Sequence, residues 1–321
     1  MGFSVAVACY SRMEPASPSV SQRIISLVDR RHQVSAPLIA LRLSNLRIQG
    51  NFRRFMVTRM GSTGSTWLAK LLNSHPDVYC SHEGVLSQVY PANQTNGGDH
   101  LLRYIEYFAW DTKHEAYQVV GDVGSVWPIH FASLPSFTTG ILLRHPARML
   151  NTRLNVYPGD QSFSAIPDKS RTDIQELWGI DLSQYEPIDQ IFLHDIFTFA
   201  EQVWTLDKVD VVIRLEDLAE VENCQRVLQA LTGLDYSRSL VEHASERIVN
   251  QRTNGRKPIE EIVAGFSARQ RDWYLSLLAG ILPHFGYSLL DEPDNPRDAM
   301  RMNAGTASLP NGDTEISRSA G

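Results

Sequence analysis

The sequence predicts a three-layer α/β fold: a mostly parallel central sheet with helices on both faces. Two observations carry that expectation. From Phe52 onward, short apolar runs of strand character alternate with helical patterns, and strands separated by helices pair in parallel with the helices covering the sheet. Two of these runs also end at a polar turn that leads at once into a helix start, Phe55 to Thr58 before a glycine and hydroxyl loop, and Thr139 to Leu143 before Arg144-His145-Pro146.

In order, strands are expected at Phe55 to Thr58, Val78 to Cys80, Tyr117 to Gly121, Thr139 to Leu143 and Val209 to Arg214. Helices are expected from Ser65 to Asn73, Pro146 to Val156, Ile188 to Leu206 and Ala268 to His284; proline at the first helical position suits Pro146, because that N–H has no intrahelical partner. The stretch from Tyr157 to Pro187 is polar and proline-containing and reads as an irregular insertion that lids a site or carries acceptor specificity. Residues 1–50 read as an N-terminal extension before the domain, with a Ser/Pro patch from Glu14 to Ser21 and then an amphipathic helix carrying Ile24, Ile25, Leu27 and Val28. The domain spans 51–290, and the Asp, Pro, Asn, Ser and Gly composition of 291–321 reads as a disordered tail.

Composition narrows the function. With 36 acidic and 30 basic side chains the formal charge is −6, which does not favour nucleic acid or an anionic membrane as partner. A hydrophobic content of 43% with 21% charged residues is that of a soluble globular chain. No run approaches the roughly 20 apolar residues a membrane helix requires, so no integral membrane segment is expected. Cys9, Cys80 and Cys224 are too few and too scattered for a disulfide framework or a zinc site, and a reducing, cytoplasmic setting is the simplest expectation.

The chemistry concentrates in Phe55-Met-Val-Thr-Arg-Met-Gly-Ser-Thr-Gly-Ser-Thr-Trp-Leu68, a strand, a loop and a helix start. N–H groups of such a loop and of a first helical turn lack intrahelical partners, and together with the positive helix end they make a cradle for phosphate or sulfate. Gly61 and Gly64 permit positive φ, and Ser62, Thr63, Ser65 and Thr66 add hydroxyl donors. A Walker A loop needs a lysine before its final Ser or Thr; Gly64 stands there instead.

Thr63-Gly64-Ser65-Thr66-Trp67-Leu68 resembles the second half of the 5′-phosphosulfate loop of sulfotransferases that use 3′-phosphoadenosine-5′-phosphosulfate (PAPS), and the resemblance implies a P-loop NTPase-like version of the fold. It departs at Ser62, where the family carries Arg or Lys; the nearest preceding cation is Arg59. Arg144-His-Pro-Ala-Arg-Met-Leu-Asn-Thr152 resembles the family's 3′-phosphate motif, with arginine and hydroxyl eight residues apart (152 minus 144). A guanidinium at a strand end suits a dianionic phosphate, because its donors form a fork. Val211-Val-Ile-Arg-Leu-Glu-Asp-Leu218 is similar to the family's Arg-Tyr-Glu-Asp-Leu strand end, and Asn250 to Lys257, with Arg256 and Lys257, to its late basic loop.

The resemblance implies that PAPS is the co-substrate, bound by Gly61, Ser62, Thr63, Gly64, Ser65, Thr66, Trp67, Arg144, Thr152, Arg256 and Lys257, with the nucleotide PAP (3′-phosphoadenosine-5′-phosphate) as product and no metal. It implies a hydroxyl acceptor on a carbohydrate or other small metabolite. Glu83, after His75-Pro-Asp-Val78, falls near the family's base; His82 is the fallback, and Arg59 the candidate for the catalytic cation. Two other readings stay open: a P-loop-like phosphotransferase, and a non-catalytic nucleotide-binding protein suggested by the loss of the loop cation.

Overall fold

The computed structural model describes residues 19–30, 53–82, 116–124, 137–156, 166–247 and 257–290. Its centre is a five-stranded sheet: β1 (Arg53–Arg59), β2 (Val78–His82), β3 (Val119–Gly124), β4 (Phe137–Leu143) and β5 (Val211–Arg214), in the spatial order β2-β3-β1-β4-β5. Every pair is parallel. The chain fills one side of β1 with β2 and β3, then crosses to the other side for β4 and β5. Strand order therefore reverses at β1, and in open parallel sheets the crevice beyond the strand C-termini at such a point is where ligands bind.

Alternate strand residues feed two cores. Phe55, Val57, Leu142, Val211 and Ile213 meet one helical layer: α2 (Ser65–Leu72), α6 (Val221–Thr232) and α7 (Arg238–Arg247), through Leu68, Leu228 and Val241 among others. Ile141 and Leu143 meet the other: helix α1 (20–30), α3 (Pro146–Val156), α4 (Asp168–Trp178), α5 (Pro187–Glu201), α8 (Ile259–Ala264) and α9 (Ala268–Leu278). The strands are buried on both faces, so they read as continuous apolar runs. Gly121 aligns with Phe55 across β1 and β3, and the Phe55 ring occupies the space a Cβ on Gly121 would need.

The three-layer parallel α/β architecture agrees with the sequence. The irregular insertion does not hold where residues are described: α4 runs Asp168–Trp178, a short 3-10 turn spans Leu182–Gln184, and Ile174, Leu177 and Leu182 are buried. Its polar face, Asp168-Lys-Ser-Arg-Thr, hides the helical spacing of the few apolar residues. Gly179 at φ 70° then ends the helix. The helix expected to reach Leu206 passes into a 3-10 turn after Glu201, and the one expected to reach His284 ends at Leu278 before Gly280. Strand β3 begins at Val119 and runs on to Gly124, and β5 begins at Val211. Helices α6, α7 and α8 were not foreseen, although Cys224, Val227, Leu228 and Leu231 carry the 3-and-4 spacing that would have found α6.

The N-terminal helix packs on the domain through Ile24, Leu27 and Val28. Arg23 donates to the Leu177 and Glu176 carbonyls at the end of α4, and Trp204 Nε1 donates to Asp29 Oδ1 at 2.5 Å. Residues 1–18, 31–52 and 291–321, with the expectations that fall on them, lie outside the described residues.

Candidate anion and nucleotide site

Between β1 and α2 the backbone turns through two left-handed residues, Ser62 at φ 64° and Gly64 at φ 86°. Among the described residues Ser62 is the sole non-glycine with positive φ. Such outliers cost on the order of 1–3 kcal/mol and gather at sites where the surroundings hold them. Thr63 Oγ1 donates to the Met60 carbonyl at 2.9 Å, which closes the loop and turns that hydroxyl inward. Leu215, just beyond β5, packs on Gly64 so closely that a Cβ there would lie 2.8 Å from its methyl carbons.

Gly64 caps α2 without any side-chain acceptor, and no acid stands in the first turn. Trp67 and Leu68 N–H donate to the Gly64 carbonyl; among the described residues no N–H from Gly61 to Thr66 donates to the protein. A row of uncommitted amides at a positive helix end is an anion cradle built from backbone. Trp67 faces the α2 side of the core, where it packs against buried apolar residues.

Strand β4 delivers the second element. Register aligns Arg59 with Leu142, so the chain leaves β4 at Arg144 beside the loop that leaves β1. Arg144 Nη1 donates to the Ser62 carbonyl at 2.7 Å. Among the described residues this is the only hydrogen bond the guanidinium makes, so most of its donor fork is uncommitted. Burial disfavours its charge, Glu216 and Tyr287 favour it, and the nearby Arg148 opposes it.

Glu216 organises this corner. Its Oε1 accepts the His145 N–H at 2.9 Å, and its Oε2 accepts the Tyr287 hydroxyl at 2.9 Å. The buried His145 ring meets the Ser288 carbonyl through Nε2 at 3.0 Å and lies edge-on to Tyr287. Arg214 forms a buried pair with Asp217 at 2.7 Å and donates to the Gly286 carbonyl at 2.9 Å. The sequence offers Leu215 and Glu216 only as part of the Val211 to Leu218 strand-end motif and gives no signal for Tyr287, since no spacing links residue 287 to residue 144.

On the other side of β1, His82 ends β2. Its Nε2 lies 2.9 Å from Ser65 Oγ and 3.4 Å from Thr66 Oγ1. Burial, then the neighbouring Arg59, holds His82 below the ordinary histidine range. Arg59 donates to the Met60 carbonyl at 3.3 Å; burial lowers its proton affinity and the charge of Asp122 raises it. Asp122 is fully buried and accepts from Ser81 Oγ.

The structure thus brings Gly61 to Trp67, Arg144, Arg59 and His82 to the C-terminal edge of the sheet. Thr152 stands two turns along α3, where its hydroxyl donates to the Arg148 carbonyl at 2.8 Å. Lys257 precedes α8, which packs on the same core face as α3, and it pairs with Glu261 at 3.0 Å. Arg153 is engaged by Asp195 at 2.8 Å. Glu83 and Arg256 lie outside the described residues. Among the described residues no group of three or more His, Cys, Asp or Glu could hold a metal ion, and no helix is long and apolar enough to cross a membrane.

No family model matches the sequence, and no curated protein matches it. By structure the chain is similar to a sulfotransferase from Alicyclobacillus acidocaldarius, at 15% identity and TM-score 0.38, over 74% of this chain and 94% of that one. It is also similar to the sulfotransferase domain of the Synechococcus olefin synthase, at 15% identity and TM-score 0.33, over 60% of this chain and 77% of that domain.

Proposed function

We propose that this chain is a PAPS-dependent sulfotransferase that moves the sulfuryl group to a hydroxyl of a carbohydrate or other small metabolite. The observation that carries the reading is the meeting of two anion-binding elements: the uncommitted amides from Gly61 to Thr66 and the uncommitted fork of Arg144, joined through the Ser62 carbonyl. A nucleotide with phosphate at both ends of its ribose needs two such elements a short distance apart. The residue types also fit PAPS better than ATP, because Gly64 stands where a Walker lysine would reach a γ-phosphate.

Bound PAPS supplies a sulfuryl group already activated on a phosphate leaving group. The protein's part is positioning and charge. Amides of Gly61 to Thr66 would hold the 5′ end by preorganised donors, which act without reorganising during the transfer. Arg144, with Thr152 and the basic pair Arg256 and Lys257, would hold the 3′-phosphate. Arg59 would face the charge growing on the leaving group, and Glu83 would take the acceptor's proton, with His82 as the alternative base. A cytoplasmic setting belongs to this reading, and in it the free, buried Cys80 and Cys224 would stay reduced.

Incubation with sulfur-labelled PAPS and a mixed metabolite extract tests the activity. Transfer of label to a hydroxyl-bearing product, suppressed by Glu83→Gln, is expected. Binding of PAP without any labelled product would favour the non-catalytic reading over the enzyme.

A further inference from the structure

Two hydroxyls at the start of α2 share one partner. His82 Nε2 stands 2.9 Å from Ser65 Oγ and 3.4 Å from Thr66 Oγ1, so one imidazole backs the helix end that faces the loop. Proton placement on that nitrogen decides what the loop can offer. A bare Nε2 accepts, and the Ser65 hydroxyl proton is then directed at His82. An Nε2 that carries hydrogen donates, and the Ser65 proton is released to point at a ligand. Meanwhile loop position 62 holds a serine, so the loop itself contributes hydroxyls and amides but no charge.

We infer that His82 supplies a second positive charge to the loop beside Arg59, taking a proton from solvent when a phosphate or phosphosulfate seats in the loop and releasing the Ser65 hydroxyl to that anion. The inference rests on the proposed nucleotide site and assigns a role within it. His82 is a positioning residue here, acting on the ligand through Ser65 and Thr66.

Before the anion arrives, the surroundings weigh against a charged ring. Burial and the Arg59 guanidinium from β1 both disfavour imidazolium. Asp122 from β3 is tied to Ser81 and favours the charge of Arg59. From α2 come only the two hydroxyls, since Lys70 is exposed in its last turn. Glu83 follows in sequence. An opposite charge within about 4–6 Å favours the charged form of a titrating group by about 1–3 units, so an anion seated in the loop works against the burial and the Arg59 charge that disfavour imidazolium. A protonated His82 cannot accept the acceptor's proton, which leaves that task to Glu83.

Calorimetric titration with PAP in two buffers of different ionisation enthalpy, from about pH 5.5 to about pH 8, measures the protons taken up per nucleotide bound. Wild-type protein should take up more than His82→Gln, by up to about one proton, and its PAP affinity should fall more steeply as pH rises. Equal uptake by the two proteins, with PAP still bound, overturns the role of His82 and leaves the nucleotide site standing. Failure of wild-type protein to bind PAP overturns both. Ser65→Ala guards against a folding defect in His82→Gln: it keeps the imidazole and should retain most of the proton uptake while losing affinity, and loss of affinity without retained uptake also counts against the inference.

Discussion

Arg144 Nη1 donates to the carbonyl oxygen of Ser62 at 2.7 Å, joining the end of β4 to the loop that leaves β1. Ser62 is held at φ 64°, and the strand register that aligns Arg59 with Leu142 brings the ends of β1 and β4 side by side. One side chain thus braces the loop and keeps its other donors uncommitted among the described residues.

Arg144→Ala should therefore act twice. Loss of a charge-assisted contact to the 3′-phosphate is expected to weaken PAP by about tenfold to a hundredfold. AMP, which lacks that phosphate, should lose less, with a residual loss from the unbraced loop. Titration of the variant with both nucleotides checks this; equal losses would mean that Arg144 serves only the loop.

Gly64→Ala places a Cβ on a left-handed residue, at φ 86°, and against Leu215. The conformation alone costs about 1–2 kcal/mol. Denaturant unfolding should show at least that destabilisation, and adding Leu215→Ala should recover only the part due to the clash.

Tyr287→Phe removes the hydroxyl that donates to Glu216 Oε2 at 2.9 Å. The freed carboxylate oxygen can then turn to Arg144 and compete with the ligand. Stability should fall by about 1 kcal/mol and PAP affinity should fall with it. Adding Glu216→Gln, which cannot pair as an ion, should restore part of the affinity but not the stability.

Burial and Arg59 hold His82 below its ordinary 6.5, and burial does the same to His194. Below that value the unfolded chain binds more protons than the folded one, so stability rises with pH through the window between folded and unfolded values. It is complete above about 6.5 and is lost as pH falls toward the folded values. Denaturant midpoints across this window should drop on acidification, and His82→Gln should flatten part of that slope.

The two strand-loop-helix units were legible because their signals are local. Gly61, Gly64 and the hydroxyls sit within one turn of each other, and Arg144 stands at the end of an apolar run before a proline. What sequence could not show was partnership across distance. His82 meets Ser65 because β2 and α2 pack together, and Tyr287 meets Glu216 because the last described turn folds onto the ends of β4 and β5. The misread segment around Asp168–Trp178 failed for another reason: a helix that buries only one narrow stripe shows few apolar residues in a long polar run.

In the proposed function the loop from Gly61 to Thr66 and Arg144 together hold a nucleotide phosphorylated at both ends of its ribose. Side-by-side calorimetric titration of the protein with PAP, ADP and ATP measures that preference. PAP should bind tightest, and tighter binding of ATP than of PAP would contradict a site built for the 3′-phosphate.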